Sequence, residues 1–432
     1  MLPGHPDRHG VAARSRGTQQ VKIDRRILLF VAAVALLGVA GGIFETSSNN
    51  YYAEVFQMTA RQRGALELPR EFPGFMVAVM TGVLFFVAEA YLGVLAAGLV
   101  ASGLVGLAAF AMHADQYANM LVFLVVWSAG THLMMPVRNS LALTLARRSQ
   151  EGAKLGRLAS VNSLAVMGGA AVVWFTFAVL GRSFATVFLV GAGAAVGSGA
   201  VLLALGRNMD PAHHRPRPKL VYRRRYLLFY VLSVLFGARK QTFITFGPWV
   251  LIRLFGQPAQ TIAVLWIITH LLIVLLLPAV GRLLDRVGER TVLMADAGVL
   301  LLVCLSYGFS RMLLPERVAF YVVCGAYVTD QFLFPVQMAR TTYLSKIARS
   351  RRDISGALGL SVSIDHAVSI PIAIIGGWLW TEFGHHYVFA GAACIAVLTF
   401  AMASFVRVER VEHPELVESP GEALEEIRRE EV

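Results

Sequence analysis

Charged and amide side chains interrupt several long apolar stretches of this chain, and their types limit the chemistry they can do. An ionisable group at membrane depth costs at least about 2.5–3.5 kcal/mol on insertion scales, so it turns toward a partner or a wet cavity. Asn49, Arg138, Arg239, Lys240, Gln241, Gln337 and Arg340 offer donors suited to a polar or anionic solute. The forked guanidinium of Arg138 matches a carboxylate or phosphate, although snorkelling or pairing with a neighbouring helix would also satisfy it. Arg239 and Lys240 are adjacent and point in different directions on a helix, so one can bind solute while the other pairs elsewhere. Glu45, Asp330, Asp365 and His366 are the candidates for proton coupling. A carboxylate that alternates between water and a cationic partner can load and release a proton. The competing reading of these acids is an ion-pair network that holds helices together, and for Glu45 a place at the headgroups.

Other polar positions read as structural. Glu67 and Glu71 are four apart with Arg70 beside them, which predicts a local ion-pair cluster. His132 lies one turn before Pro136, a residue that frees a carbonyl and permits a kink. His270 reads as a hydrogen-bonded packing histidine. Asp296 reads as a partner for the polar segment Gly281 to Arg290. Gly193 and Gly197 have the small-x-x-x-small spacing of a close helix contact.

The elements that must position these groups are membrane helices. The chain of 432 residues is 56% hydrophobic and 15% charged, too apolar for a typical soluble protein. Stretches of about 20 apolar residues, each enough for one crossing, fall near 27–50, 64–87, 91–111, 118–146, 157–180, 183–206, 226–252, 259–281, 291–310, 317–346, 356–381 and 386–407. The expected fold is an all-α integral membrane protein of about twelve transmembrane helices. The net charge of +12 would suggest nucleic acid in a soluble protein, but its placement argues for a membrane instead. Arg and Lys residues crowd the segment before Ile27, the Arg207–Arg225 linker, the positions Arg147, Arg148, Lys154 and Arg157, and the positions Lys346, Arg349, Arg351 and Arg352. With twelve crossings all these lie on one side, and the positive-inside rule makes that side, and both termini, cytoplasmic. The first stretch lacks a convincing A-x-A cleavage site and reads as an uncleaved helix. Cys304, Cys324 and Cys394 fall in apolar stretches without ligand spacing, and read as buried free thiols.

The chain repeats. Met135-Pro136-Val137-Arg138 is echoed by Phe334-Pro335-Val336-Gln337, with the prolines 199 positions apart (335 − 136). Gly156 and Gly356 are 200 apart (356 − 156), and Gly168-Gly169 is followed by Gly376-Gly377. The expected organisation is a basic N-terminal segment 1–26, a six-helix bundle 27–206, a linker 207–225, a second six-helix bundle 226–407 and an acidic tail 408–432.

The stretch Gly281-Arg-Leu-Leu-Asp285-Arg286-Val-Gly288-Glu-Arg290 resembles the cytoplasmic loop signature of the major facilitator superfamily, roughly G-x-L-x-D-R-x-G-R-R/K. Gly376 to Gly384, followed by Val388 and Phe389, is similar to the family's passage from its eleventh to its twelfth helix. The resemblance covers nearly the whole chain. It implies two pseudo-symmetric six-helix bundles with the solute path between them near the bilayer centre. It also implies that Gly281, Asp285, Arg286, Gly288 and Arg290 govern conformational change rather than touch solute. Glycines there allow a tight turn, and the acid can cap a helix start. The chain departs from the family pattern in places. The first-half loop Val87 to Gly93 lacks the Asp-Arg pair, and the fifth helix lacks the Gly-Pro pair of many drug–proton antiporters.

The function expected is a secondary active transporter that moves a polar or anionic small solute by alternating access, coupled to protons. Drug–proton efflux is the nearest alternative, and a membrane receptor or lipid scramblase lies outside the transporter class. H-E-x-x-H, G-x-S-x-G and Walker-A motifs are absent from the sequence, so an enzyme is not expected. No cofactor, metal or nucleic acid is expected. The expected partners are the solute, protons and membrane lipids, with the monomer as the working unit in a bacterial inner membrane.

Overall fold

The computed structural model describes residues 25–77, 80, 83–84, 87–111, 113–145, 151–181, 183–209 and 221–407. The basic N-terminal segment before Arg25, the basic pair Arg147 and Arg148, the centre of the 207–225 linker and the acidic tail lie outside the described residues. All regular secondary structure among the described residues is helical. The first half contains α1 (Arg25–Glu54), α2 (Ala60–Ala65), α3 (Glu67–Phe75), α4 (Glu89–Ala109), α5 (Tyr117–Leu145), α6 (Glu151–Ala178) and α7 (Phe184–Gly206). The second contains α8 (Leu227–Phe255), α9 (Ala259–Leu313), α10 (Glu316–Leu333), α11 (Met338–Ile347), α12 (Arg351–Phe383) and α13 (His385–Ser404).

Ten helices among the described residues are long and apolar enough to cross a membrane. One of them, α9, is 55 residues long and is two helices joined at Gly288, whose backbone (φ 80°, ψ 166°) is non-helical. Residues with a Cβ rarely adopt that conformation, so glycine makes the turn at little steric cost. The eighth and ninth apolar stretches therefore meet there. The second stretch begins as two short helices. Thr59 caps α2 by accepting from the Gln62 amide at 3.2 Å, while the Gln62 side chain accepts from the Thr59 amide at 2.9 Å. The tenth stretch is not one helix. Pro335 lies in a 3-10 turn, Phe334–Gln337, between α10 and α11. Its equivalent in the first half, Pro136, sits inside an unbroken α5.

Helices α1 and α4–α7 pack mainly on one another, as do α8–α13, and two seams join the groups: α6 against α9, and α2 and α3 against α12. Close backbone approach sets both kinds of packing. A Cβ on Gly42 of α1 would lie 2.2 Å from the Val166 carbonyl oxygen of α6. Across the seam, a Cβ on Gly64 of α2 would lie 2.2 Å from the Ala373 oxygen of α12, and one on Gly377 would lie 2.6 Å from the Ala60 oxygen. The spacing of Gly193 and Gly197 predicts close contact at those residues instead. Gly193 has no neighbour among the described residues within 4 Å of its would-be Cβ, and Gly197 makes ordinary contact with Leu36. Small residues pack tightly only where a neighbouring helix faces them. The free cysteines also differ from expectation, since only Cys304 is fully buried and Cys394 is exposed.

Polar contacts place the ends of the helices. Asn50 donates to the Gln257 carbonyl (3.0 Å), Arg253 donates to the Met58 carbonyl (2.5 Å), and Arg61 lies 3.8 Å from Glu382. The C-terminal ends of α1, α8 and α12 are thus together, and we call this the distal end. At the opposite end Tyr226 donates to Asp353 at 2.7 Å, joining the starts of α8 and α12.

Candidate functional site

A cavity of about 420 Å³ lies between the two halves. From the first half it is walled by α1 (including Glu45 and Asn49), α5 (Trp127, Thr131, Met134 and Arg138) and α6 (Asn162). From the second it takes Ile244 and Pro248 of α8, Trp266 and His270 of α9, and Tyr327 and Gln331 of α10, closed by Phe334. Most of the lining is apolar or aromatic, with a few polar groups converging on it, which is the usual make-up of a small-molecule site. The second-half wall is held by its own contacts. The Trp266 indole donates to the Tyr327 hydroxyl at 2.6 Å, and His270 stacks on Trp266 while its Nδ1 lies 3.0 Å from the Trp266 carbonyl.

Two groups of opposite charge face this cavity without an ion partner among the described residues. Arg138 is half-buried, and among the described residues its side chain makes one hydrogen bond, a long 3.4 Å contact to the Asn162 amide oxygen. Glu45 is half-buried and forms no ion pair with a described residue. The Trp127 indole N–H is also buried, without a partner among the described residues. Leaving polar groups unmet inside a protein is costly, and such groups are commonly completed by a ligand or water.

The second-half cations sit differently. Arg239 is buried and donates to Asp296 at 2.8 Å, with Asp330 at 3.8 Å from its other terminal nitrogen. Lys240, one residue on, points another way and meets Asp365 at 2.8 Å. Gln241 is buried and donates to Thr245 at 2.8 Å. Arg340 has no carboxylate within ion-pair distance among the described residues; it contacts the Leu232 carbonyl (3.3 Å) and Gln337 (3.4 Å) and lies over the Phe236 ring. Gln337 is exposed. Of the predicted solute-binding residues, Asn49 and Arg138 therefore line the cavity, while Arg239, Lys240, Gln241, Gln337 and Arg340 lie outside its lining. Of the predicted proton-coupling residues, Glu45 lines it, and Asp330 is linked to it through Gln331, which donates to Asp330 at 3.1 Å. Asp365 and His366 do not line it.

Asp296 corrects an expectation. It bonds to Arg239 of α8 and not to the Gly281–Arg290 segment. In that segment Gly281 is helical and Gly288 alone makes the turn. Asp285 and Arg286 are exposed on the helix before the turn, where Asp285 caps no helix among the described residues, and Arg290 is exposed just after it. The carboxylate that engages is the buried Glu289, 2.5 Å from Lys346. Glu89, 200 positions earlier (289 − 89), accepts from Ser140 in the first half. Sequence reasoning missed this pair because a Glu beside a basic loop looks like any solvated acid. The repeat spacing is the signal that finds it.

The cluster of Arg63, Glu67, Arg70 and Glu71 is a buried chain of ion pairs, with Arg70 2.6 Å from Glu67 and 2.7 Å from Glu71. It is tied to α1 by Arg63, which donates to Asn49 at 2.8 Å. It is tied across the seam by His366, 2.6 Å from Glu71.

Two groups of membrane-length helices with a cavity between them are the architecture of a solute carrier. A match to the Major Facilitator Superfamily spans residues 72–364, and the chain belongs to that family. Solved structures share the fold at low identity. A nucleoside transporter, NupG, superimposes with a TM-score of 0.68 at 14% identity over 88% of this chain and 99% of its own. A D-xylose-proton symporter gives 0.63 at 15%, over 88% of this chain and 97% of its own. An auto-inhibited POT family peptide transporter gives 0.70 at 12%, over 90% and 99%. A search of curated protein sequences returned no match.

Proposed function

We propose that the protein is a secondary active transporter that moves a polar or anionic small solute through the central cavity by alternating access, coupled to protons. The observation that carries this reading is Arg138, a guanidinium facing the cavity with one long hydrogen bond and no carboxylate partner among the described residues. An arginine at this depth needs an anion or strong acceptors, and a solute would supply them. Glu45, on the same cavity, is the first-half candidate for the coupled proton, with Asp330 behind Gln331 in the second half. The proton-coupled sugar carrier among the structural neighbours supports coupling by analogy of fold. The basic segments support an orientation with both termini cytoplasmic.

The aromatic and apolar walls, with Trp127, Trp266 and Phe334, favour a second reading, export of an amphipathic compound. One series separates the readings. A thermal-shift ligand screen on the purified protein finds compounds that bind the native state, because such ligands raise apparent stability. Counterflow in proteoliposomes then tests those compounds for movement. Arg138→Gln removes a charged hydrogen bond worth about 1.5–3 kcal/mol, so affinity for an anionic solute should fall roughly 10- to 100-fold. Arg138→Lys should recover only part of it, since an ammonium lacks the fork. Unchanged affinity in Arg138→Gln would reject an anion site at this residue and favour the amphipathic compound. Binding without flux would make the protein a receptor.

A further inference from the structure

Glu71 of α3, His132 of α5 and His366 of α12 meet where the two bundles touch. All three are buried, and one ligand-capable atom from each lies within 4.8 Å of the others. They do not line the central cavity. The histidine rings stand nearly perpendicular, with centroids 4.8 Å apart.

The surroundings prepare these side chains for a metal ion. His132 Nδ1 lies 2.8 Å from the Ser128 carbonyl. A carbonyl only accepts, so Nδ1 carries the proton and Nε2 presents a lone pair. A backbone carbonyl on the far nitrogen is a common outer-shell partner of metal-bound histidine. The Glu71 carboxylate is held on one oxygen by Arg70 at 2.7 Å, while its other oxygen lies 2.6 Å from His366 Nδ1. Gly74 lets α3 pack directly against both histidines. A Cβ placed there would sit 2.6 Å from His132 Nε2 and 2.7 Å from His366 Nδ1. Only a glycine there admits both rings so close to the α3 backbone.

We propose that Glu71, His132 and His366 form a binding site for a divalent transition metal ion, with zinc as its simplest occupant. Two imidazoles and one carboxylate, with a fourth position open, form one of the ligand sets zinc adopts, with bonds of about 2.0–2.2 Å. Such bonds place ligand atoms roughly 3.3 Å apart in a tetrahedron, so atoms up to 4.8 Å apart must close by about 1.5 Å. The hydrogen bond between Glu71 and His366 is exchanged for two metal bonds, and the His366 ring proton moves from Nδ1 to Nε2. Arg70 on the far oxygen of Glu71 draws charge from the carboxylate and limits affinity. The ion would tie α12 of the second bundle to α3 and α5 of the first. If the bundles move against each other as alternating access requires, it holds the seam between α3 and α12 shut. That consequence rests on the transporter reading, whereas binding does not.

The test uses the full-length protein in detergent, with any purification tag removed, titrated with Zn²⁺ and separately with Co²⁺. Wild type should take up one equivalent, and Co²⁺ should develop the visible absorption of a four-coordinate nitrogen–oxygen site. His132→Gln and His366→Gln should each weaken Zn²⁺ binding at least tenfold. Gly74→Ala, which keeps all three ligands but pushes a methyl against both imidazoles, should weaken it as well. Absence of a stoichiometric Co²⁺ spectrum in wild type would overturn the proposal, a result that needs no variant to fold. Wild-type Zn²⁺ affinity in both histidine variants would also overturn it. In proteoliposomes Zn²⁺ should slow solute counterflow in wild type more than in His132→Gln. If the protein binds the ion but moves no solute, the site stands and the transporter reading falls.

Discussion

Arg239→Gln should be the most damaging single change in the second bundle, and its cost can be worked from the contacts. The Arg239 guanidinium is 2.8 Å from Asp296 and 3.8 Å from Asp330. With an effective dielectric near 20, those separations correspond to gross attractions of roughly 6 and 4 kcal/mol, before desolvation is subtracted. Removing the arginine leaves the buried Asp330 and the half-buried Asp296 without their shared cation. Breaking such a pair from one side costs about 3–5 kcal/mol. Asp330→Asn removes only the longer contact and keeps a side chain that can bond to Gln331, so it should cost much less. The double variant Arg239→Gln with Asp296→Asn should be more stable than Arg239→Gln alone, since one orphaned acid is gone; coupling of this kind is typically about 0.5–3 kcal/mol. Thermal unfolding in a fixed detergent, followed by tryptophan fluorescence, gives the ranking. The same purified Asp330→Asn protein then decides between support and coupling. If Asp330 carries the proton, accumulation driven by a pH gradient should vanish while counterflow at equal pH persists. Equal destabilisation by Arg239→Gln and Asp330→Asn would refute the geometric reasoning. Wild-type gradient-driven accumulation in a well-folded Asp330→Asn would make the acid purely structural.

Glu45→Gln should likewise abolish accumulation driven by a pH gradient and spare equal-pH counterflow, measured with radiolabelled solute; full retention would remove Glu45 from coupling. Gly64→Val should force α2 away from the Ala373 carbonyl, which a Cβ would approach to 2.2 Å, and so raise thiol labelling of a cysteine placed at Ala60; unchanged labelling would mean the seam yields elsewhere. A cysteine introduced at Asn208 should resist membrane-impermeant reagents in intact cells and react once the membrane is opened; labelling from outside would reverse the proposed orientation.

The membrane-spanning stretches were legible because a bilayer demands long apolar runs, and α1, α7 and α8 begin and end within a few residues of the spans read from composition. The turn at Gly288 was legible as a glycine-bearing polar interruption. Which face of each helix meets the cavity was not. Lipid and protein interior are both apolar, so a membrane helix need not show the one-sided stripe that marks the buried face of a soluble helix. His270, Gln331 and Asn162 therefore gave no sign that they face the same space as Arg138. Ion partners were hidden for a related reason. Asp296 follows the Gly281–Arg290 segment closely, which made that segment look like its partner. Helix packing instead brings it to Arg239, 57 residues earlier. Glu71 and His366 are 295 positions apart and meet only because α3 and α12 cross the seam between bundles.

The long separation between ion partners also bears on how the chain is made. Arg239 and Lys240 leave the ribosome within α8, but their acids come later, Asp296 by 57 residues and Asp365 by 125. At synthesis rates of about 5–20 residues per second, Arg239 waits roughly 3–11 s and Lys240 roughly 6–25 s for a partner. During that interval α8 carries two adjacent cations that lipid would reject. It must stay near the insertion machinery, or in contact with the finished first bundle, until α9 and then α12 arrive. Membrane entry of the second bundle is thereby an assembly step as well as a series of independent insertions, and a chain stopped before Asp296 would expose α8 to membrane quality control.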